Sequence, residues 1–284
     1  MNEKICLITG ANSGIGKAAA IEIAQKGFRV IIGCRNRIRG EEALKEIKAT
    51  SKNEDIELML IDMSSKKSIQ DAVNNYTHDH LDVLIHNAAD FDISRKKPVT
   101  SKDGVETIWA TNHVGPVLLT QLFMDKLKAT KHARVITIAS KGLLVFPKLE
   151  VHLEDPEFKN RKFSVTKAYY QSKIAQIMYT YWLADELKDT NITANCIRVT
   201  NVKIDMNRYP NNSGFMKFIY KMKSSNALTP ESMAKTYTFL ATSLNLKTTS
   251  GKYFDEKNTI IKSSKYSTDP ASIKKVMDLT MKYL

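Results

Sequence analysis

The chain has 284 residues, 43% hydrophobic and 26% charged, the proportions of an ordinary globular protein, which exclude a disordered or low-complexity polypeptide. Its 43 Lys and Arg against 30 Asp and Glu give a formal charge of +13, and the stretch 203–284, with 14 basic and 6 acidic residues, supplies +8 of it. There is no extended basic block and no nucleic-acid motif, so a nucleic-acid partner is not expected. No apolar run reaches the roughly 18 residues of a membrane span.

Short β-branched, apolar runs recur in chain order at Ile5–Thr9, Arg29–Gly33, Ile56–Ile61, Val83–Ile85, Arg134–Ala139 and Ile192–Val199. Between them lie segments with helical spacing: Gly14–Lys26, Arg39–Thr50, Ser68–Tyr76, Gly104–Lys128, Thr166–Leu187, Pro230–Leu244 and Pro270–Tyr283. Strands that are apolar at successive positions are buried on both faces, which requires a parallel sheet with helices on each side. The expected fold is therefore α/β, a single Rossmann-type doubly wound domain over 1–284. Neither repeat nor linker argues for a second domain. Cys6, Cys34 and Cys196 each lie in or beside an apolar run and are read as buried, reduced thiols, with no metal site expected. The first strand begins at Lys4, leaving no space for a signal peptide, so a cytoplasmic location is expected.

Directly after the first strand comes Thr9-Gly10-Ala11-Asn12-Ser13-Gly14-Ile15-Gly16, which opens into a helix. Glycine there permits a tight turn, close backbone approach by a pyrophosphate and tight helix–strand packing. The helix N-terminus then offers free N–H groups and its positive dipole end to phosphate. An NAD site of this type places a carboxylate at the end of the second strand to hold the ribose hydroxyls. Here that place reads Cys34-Arg35-Asn36-Arg37. With no acid present and Arg35 placed to meet a 2′-phosphate, helped by Lys17 and Arg37, NADP(H) is the expected cofactor. Asp62-Met63 and Asn87-Ala88-Ala89 follow the third and fourth strands, at the sheet edge where ligands bind in open α/β folds. Asp62 and Met63 are placed to reach adenine, Asn87 and Ala88 to border the cofactor or, for Asn87, to brace strands.

Tyr169 and Lys173 stand one helical turn apart on one face. A phenol is a weak acid–base catalyst at neutral pH, and an ammonium beside it favours the phenolate, so the pair has chemical content. Ser140 ends the fifth strand at the same sheet edge, where its hydroxyl could hold a substrate oxygen. Asn112, on the preceding helix, could steady Lys173 directly or through water.

Taken in order, Thr9 to Gly16, Asn87-Ala88-Ala89, Asn112, Ser140 and Tyr169 to Lys173 resemble the short-chain dehydrogenase/reductase family over nearly the whole chain. Gly33-Cys34-Arg35-Asn36, Asn112-His113-Val114-Gly115 and the long Ser140-to-Tyr169 interval are similar to its retinol dehydrogenase and WW-domain oxidoreductase branch. The resemblance implies a catalytic tetrad of Asn112, Ser140, Tyr169 and Lys173, with Tyr169 and Lys173 also at the cofactor, and hydride transfer between NADP(H) and a lipophilic carbonyl or alcohol. It implies a homodimer or homotetramer paired through Gly104–Lys128 and Thr166–Leu187. One departure stands out: Val199 and Thr200 replace the usual Pro-Gly, and Ile204 replaces a Thr, which leaves room for an alternative in which the chain binds NADP(H) without catalysis, as a redox sensor or interaction protein. In the resembling family the region 203–228 covers the substrate. Here Phe215, Met216, Phe218, Ile219 and Met222 recur at helical spacing among lysines, a pattern for an apolar lid or for peripheral contact with a membrane surface.

Overall fold

The computed structural model describes residues 3–203 and 227–284. Its sheet has seven strands: β1 (Ile5–Thr9), β2 (Arg29–Cys34), β3 (Ile56–Leu60), β4 (Val83–His86), β5 (Ala133–Ser140), β6 (Ile192–Val199) and β7 (Lys252–Phe254). Every neighbouring pair is parallel, in the order β3-β2-β1-β4-β5-β6-β7. The order reverses between β1 and β4, and the crevice at the carboxyl ends of those strands is where a doubly wound sheet holds a ligand. The expected fold class is the observed one.

Alternation along β1 shows why the runs are apolar at every position. Cys6 and Ile8 face a core completed by Ala19, Ala20 and Ile23 of α1 (Gly14–Ala24), Ala43 and Ile47 of α2 (Arg37–Ser51), and Met233, Tyr237 and Leu240 of α8 (Pro230–Thr242). Ile5 and Leu7 face the opposite core, with Ile69 of α3 (Lys66–Asn74), Val117 and Leu119 of α5 (Gly115–Leu122), Leu127 of α6 (Met124–Lys128) and Tyr179 and Leu183 of α7 (Val165–Glu186). Burying each such side chain contributes about 1.5–3 kcal/mol, and a polar residue at either parity would remove that from one core.

Three expectations need correction. β7 goes unread in the sequence because it has only three residues, of which Tyr253 and Phe254 are buried, too few to show a period. The helix expected over Gly104–Lys128 is broken into α4 (Thr107–Trp109), a π-helical turn (Ala110–Val114), α5 and α6. Pro116 has no N–H to give the carbonyl of Asn112 four residues back, and the helix widens there. Short 3₁₀ turns at Lys141–Val145 and Leu244–Leu246, and the four-residue α9 (Lys265–Thr268), also lie outside the expected elements.

The terminal helix α10 (Pro270–Met281) lies on α7. Val276 packs with Ile174, Ala175 and Met178, and Met277 joins the core of Tyr179 and Leu183. The His113 Nε2 to Thr280 Oγ1 contact of 2.8 Å ties it to the π-helical turn as well. The helices that the resemblance gives to subunit pairing thus carry part of their own chain. On the other side, the backbone N–H of Lys203 donates to Leu228 O at 2.8 Å and that of Leu228 to Asn201 O at 2.9 Å, so the two ends of the expected lid are joined. Ile204, Phe215, Met216, Phe218, Ile219 and Met222 lie outside the described residues, and with them most of the segment 203–228.

Candidate functional site

The loop after β1 is fixed by close packing. Gly10 adopts φ +68 and Gly14 φ +57, the left-handed region that costs a β-carbon-bearing residue about 1–2 kcal/mol. A β-carbon on Gly10 would meet Ala88 Cα at 2.8 Å, and one on Gly16 would overlap Asn87 Nδ2 and the Gly10 carbonyl. Asn87 ties this loop to α8: Nδ2 donates to Thr9 O at 3.0 Å and Gly10 O at 3.1 Å, while Oδ1 accepts from the Tyr237 hydroxyl at 3.1 Å. Of the two roles expected for Asn87, the structure shows the bracing one. Ala88 adds a bond from its N–H to Thr9 Oγ1 at 3.0 Å. Asn12, Ser13, Gly14 and Ile15 line the entry to α1, whose first turn contains no acidic residue, so nothing local cancels the positive helix end.

Arg35, just beyond β2, is exposed and makes no ion pair among the described residues. Lys17 and Arg37, expected to help it, are engaged elsewhere: Lys17 with Glu46 at 2.6 Å and Arg37 with Glu41 at 3.5 Å. The loop after β3 turns on Asp62, whose Oδ1 accepts from the Ser64 N–H at 2.9 Å and hydroxyl at 2.7 Å, with Met63 buried beneath it. A β-carbon on Gly115 would strike the Met63 carbonyl, so α5 is packed hard against this loop.

On the catalytic side, Lys173 is 2% exposed and donates to Ile138 O of β5 at 2.9 Å. Burial pulls its ammonium down to about 8, opposed by charge interaction with Cys196. Its Nζ stands over the Tyr169 ring, 5.5 Å from the centroid. Tyr169 is half-buried, and its ring centroid lies 4.3 Å from that of Phe91. Asn112 does not reach Lys173 directly. Its Oδ1 accepts from Asp90 N–H at 2.6 Å, and its Nδ2 donates to Asp90 O and to Ser172 Oγ, each at 3.1 Å. The side chain therefore locks the loop after β4 to α7. Asp90 is itself held by Arg95, at 2.8 and 3.1 Å.

Ser140 stands opposite Val199 in the β5–β6 register, so the altered Val199-Thr200 stretch begins beside it. Its Oγ accepts from Gly142 N–H at 3.2 Å. Burial pushes the neighbouring Tyr170 hydroxyl up, opposed only in part by a hydrogen bond with Ser140. Tyr170 was not singled out in the sequence, yet a β-carbon on Gly142 would collide with its hydroxyl. Phe91 and Tyr237 were missed too. The adjacent tyrosines were the available signal for Tyr170, since neighbours on a helix face different ways; nothing local announces Tyr237, 150 residues from Asn87. The three cysteines are free and buried, and among the described residues no His, Cys, Asp and Glu gather as a metal site.

Residues 4–147 match the family model described as short chain dehydrogenase. Retinol dehydrogenase 13 of Mus musculus is 33% identical over 261 residues, covering 89% of this chain and 75% of that protein. Retinol dehydrogenase 12 of Mus musculus is 34% identical over 255 residues, covering 89% and 78%. Among solved structures, an uncharacterized protein from Mycobacterium Paratuberculosis superposes with a TM-score of 0.76 at 22% identity, over 99% of this chain and 92% of that one. L-Sorbose reductase from Gluconobacter frateurii, complexed with NADPH and L-sorbose, gives 0.70 at 19% identity over 93% and 98%. At such identities the two structures speak for the fold.

Proposed function

The chain belongs to the short-chain dehydrogenase family, is retinol-dehydrogenase-like and has that family's oxidoreductase role, and we propose that it moves a hydride between NADP(H) and a carbonyl or alcohol carbon of a lipophilic small molecule. The observation that carries this reading is the buried ammonium of Lys173, fixed by a strand carbonyl and set 5.5 Å from the Tyr169 ring at the carboxyl edge of the sheet.

The residues present suit the cofactor. Gly10, Asn12, Ser13, Gly14, Ile15 and Gly16 would present backbone N–H groups to the pyrophosphate, and Asp62, Met63 and Ala88 would border the nucleoside and nicotinamide portions. Arg35, without an ion-pair partner among the described residues and with no carboxylate beside it in the sequence at the end of β2, favours a 2′-phosphate over free ribose hydroxyls. When bound, NADP(H) supplies or accepts the hydride. Tyr169 gives or takes the proton of the substrate oxygen, Ser140 steadies that oxygen, and the ammonium of Lys173 eases the loss of the phenol proton. Asn112 positions the loop carrying Phe91, which sets the Tyr169 ring.

The free, buried cysteines suit a reducing compartment, and a cytoplasmic location is part of the proposal. Among the described residues no helix is long and apolar enough to cross a membrane. A homodimer or homotetramer built on α5 and α7 would have to form around α10. The test is NADPH consumption with a panel of aliphatic and polyene aldehydes and ketones, wild type beside Tyr169→Phe. The proposal expects turnover that the variant loses while still binding NADPH. Turnover surviving in Tyr169→Phe contradicts the role given to Tyr169, and bound NADPH with no carbonyl reduced by the wild type contradicts the enzyme and leaves the binding-protein alternative.

A further inference from the structure

Beside Ser140, and not including Tyr169 in its wall, lies a cleft of about 550 Å3 between the stretch after β5, the middle of α7 and the segment after β7. Such a volume falls within the range of small-molecule sites. Its floor is apolar: Leu143, Phe146, Ile174, Ile177 and Tyr253. Among the described residues four cations, Lys148, Arg198, Lys262 and Lys265, line it against one carboxylate, Glu150.

Two observations show that the cleft is built. Its walls are tied across long sequence separations: Val151 N–H donates to the Tyr266 hydroxyl at 3.3 Å, and the Tyr181 hydroxyl lies 2.9 Å from Ser263 Oγ. The segment after β7 is further pinned by the Ser264 cap of α9. The charge is also uneven. Arg198 is partly answered by Glu256 at 3.5 Å and Asp255 at 3.8 Å, yet its Nε is buried with no hydrogen-bond partner. Lys148, Lys262 and Lys265 make no ion pair among the described residues, whereas nearby Lys141 is matched by Glu256 at 2.9 Å. Apolar floor and cationic rim together match a molecule with a hydrocarbon part and an acid group. A neutral lipid would leave the cations unanswered, and a small anion would leave the floor wet.

We propose that this cleft binds a medium-chain carboxylate of about ten carbons, with the chain on the Leu143, Ile174 and Ile177 wall and the acid group at Arg198, Lys262 and Lys265. Its place next to Ser140 puts the ligand against a residue of the candidate site without requiring Tyr169. The inference stands apart from the oxidoreductase reading, because its test contains neither cofactor nor turnover.

The experiment is calorimetric titration of the full chain with decanoate held below its micelle-forming concentration, beside decanol and decyltrimethylammonium, and by co-sedimentation with vesicles containing anionic lipid. The exposed Lys262 and Lys265 are reversed together in Lys262→Glu/Lys265→Glu, with folding checked by circular dichroism. Saturable binding of decanoate, weakened about tenfold or more in the double variant and about tenfold weaker for decanol, a difference of roughly 1.4 kcal/mol, is the expected result. No decanoate binding, equal binding by the double variant, equal binding of decanol or the cationic chain, or binding to vesicles without binding of monomeric decanoate would each overturn it.

Discussion

The carboxyl edge of the sheet carries two kinds of site side by side. Around β1 and β4 the shape is set by backbone: Gly10 and Gly16 have no room for a β-carbon, and Asn87 ties the loop down with two hydrogen bonds to its carbonyls while accepting a third from Tyr237. Around β5, β6 and β7 the shape is set by side chains from distant parts of the chain: Tyr170 against Ser140 and Gly142, Lys141 against Glu256, and Val151 against Tyr266. A surface made of backbone suits a ligand portion that never varies, such as a pyrophosphate, while a surface made of side chains can be altered one residue at a time. The difference explains how a common fold can keep its nucleotide half and diverge in the other.

The sharpest way to break that contrast is a change on the backbone-built side. Gly16→Val drives two methyl groups into Asn87 and the Gly10 carbonyl, so NADPH binding should disappear in titration calorimetry, even where circular dichroism shows a folded sheet. Gly142→Ala on the side-chain-built side should spare NADPH binding and change only the surroundings of Tyr170 and Ser140, read as altered turnover. Equal loss of NADPH binding in both variants would erase the distinction.

Acid should weaken both halves. His86 ends β4 and His113 sits in the π-helical turn beneath α10; burial pushes each down to about 3. The unfolded chain therefore takes up protons below pH 6.5 that the folded chain refuses, and stability falls as pH drops from 6.5 towards 3. The expected loss by pH 5 is on the order of 2 kcal/mol per histidine. Thermal unfolding of His113→Gln should show a shallower acid slope than wild type, and an unchanged slope would place the acid sensitivity elsewhere.

Smaller effects test the cofactor preference and its brace. Arg35→Asp should cost about 1.5–3 kcal/mol of NADPH affinity, from the lost charge-assisted bond, and leave NADH binding nearly unchanged or improved. Equal losses for both dinucleotides would show that the 2′-phosphate is read by another residue. Asn87→Ala should destabilise by about 1–3 kcal/mol, through the unsatisfied Thr9, Gly10 and Tyr237 groups, with a parallel but partial loss of NADPH affinity. A variant with wild-type thermal stability would argue against the bracing role.

Legibility in the sequence follows the same division. Six strands and the glycine loop could be read because periodicity, β-branching and Gly spacing are local signals, and the doubly wound order follows from alternating strands and helices. β7 was hidden by its brevity, whereas the break in the expected helix over Gly104–Lys128 had a visible signal in Pro116, midway along it, where proline removes a helical hydrogen bond. The four candidate catalytic residues could be placed on their elements, but not the routes between them: Asn112 answers Asp90 and Ser172 rather than Lys173, and Lys173 answers a strand carbonyl. Those pairings depend on tertiary packing, as do Tyr237 on Asn87 and Phe91 on Tyr169, and no local pattern encodes them.

The most direct measurement follows the hydride itself: wild type and Tyr169→Phe are incubated with NADPH deuterated at the transferable position of the nicotinamide and with an aldehyde from the reactive panel, and the alcohol is analysed by mass spectrometry. The account predicts deuterium on the former carbonyl carbon with the wild type and almost none with the variant. Unlabelled alcohol, or equal label with both proteins, would contradict hydride transfer assisted by Tyr169.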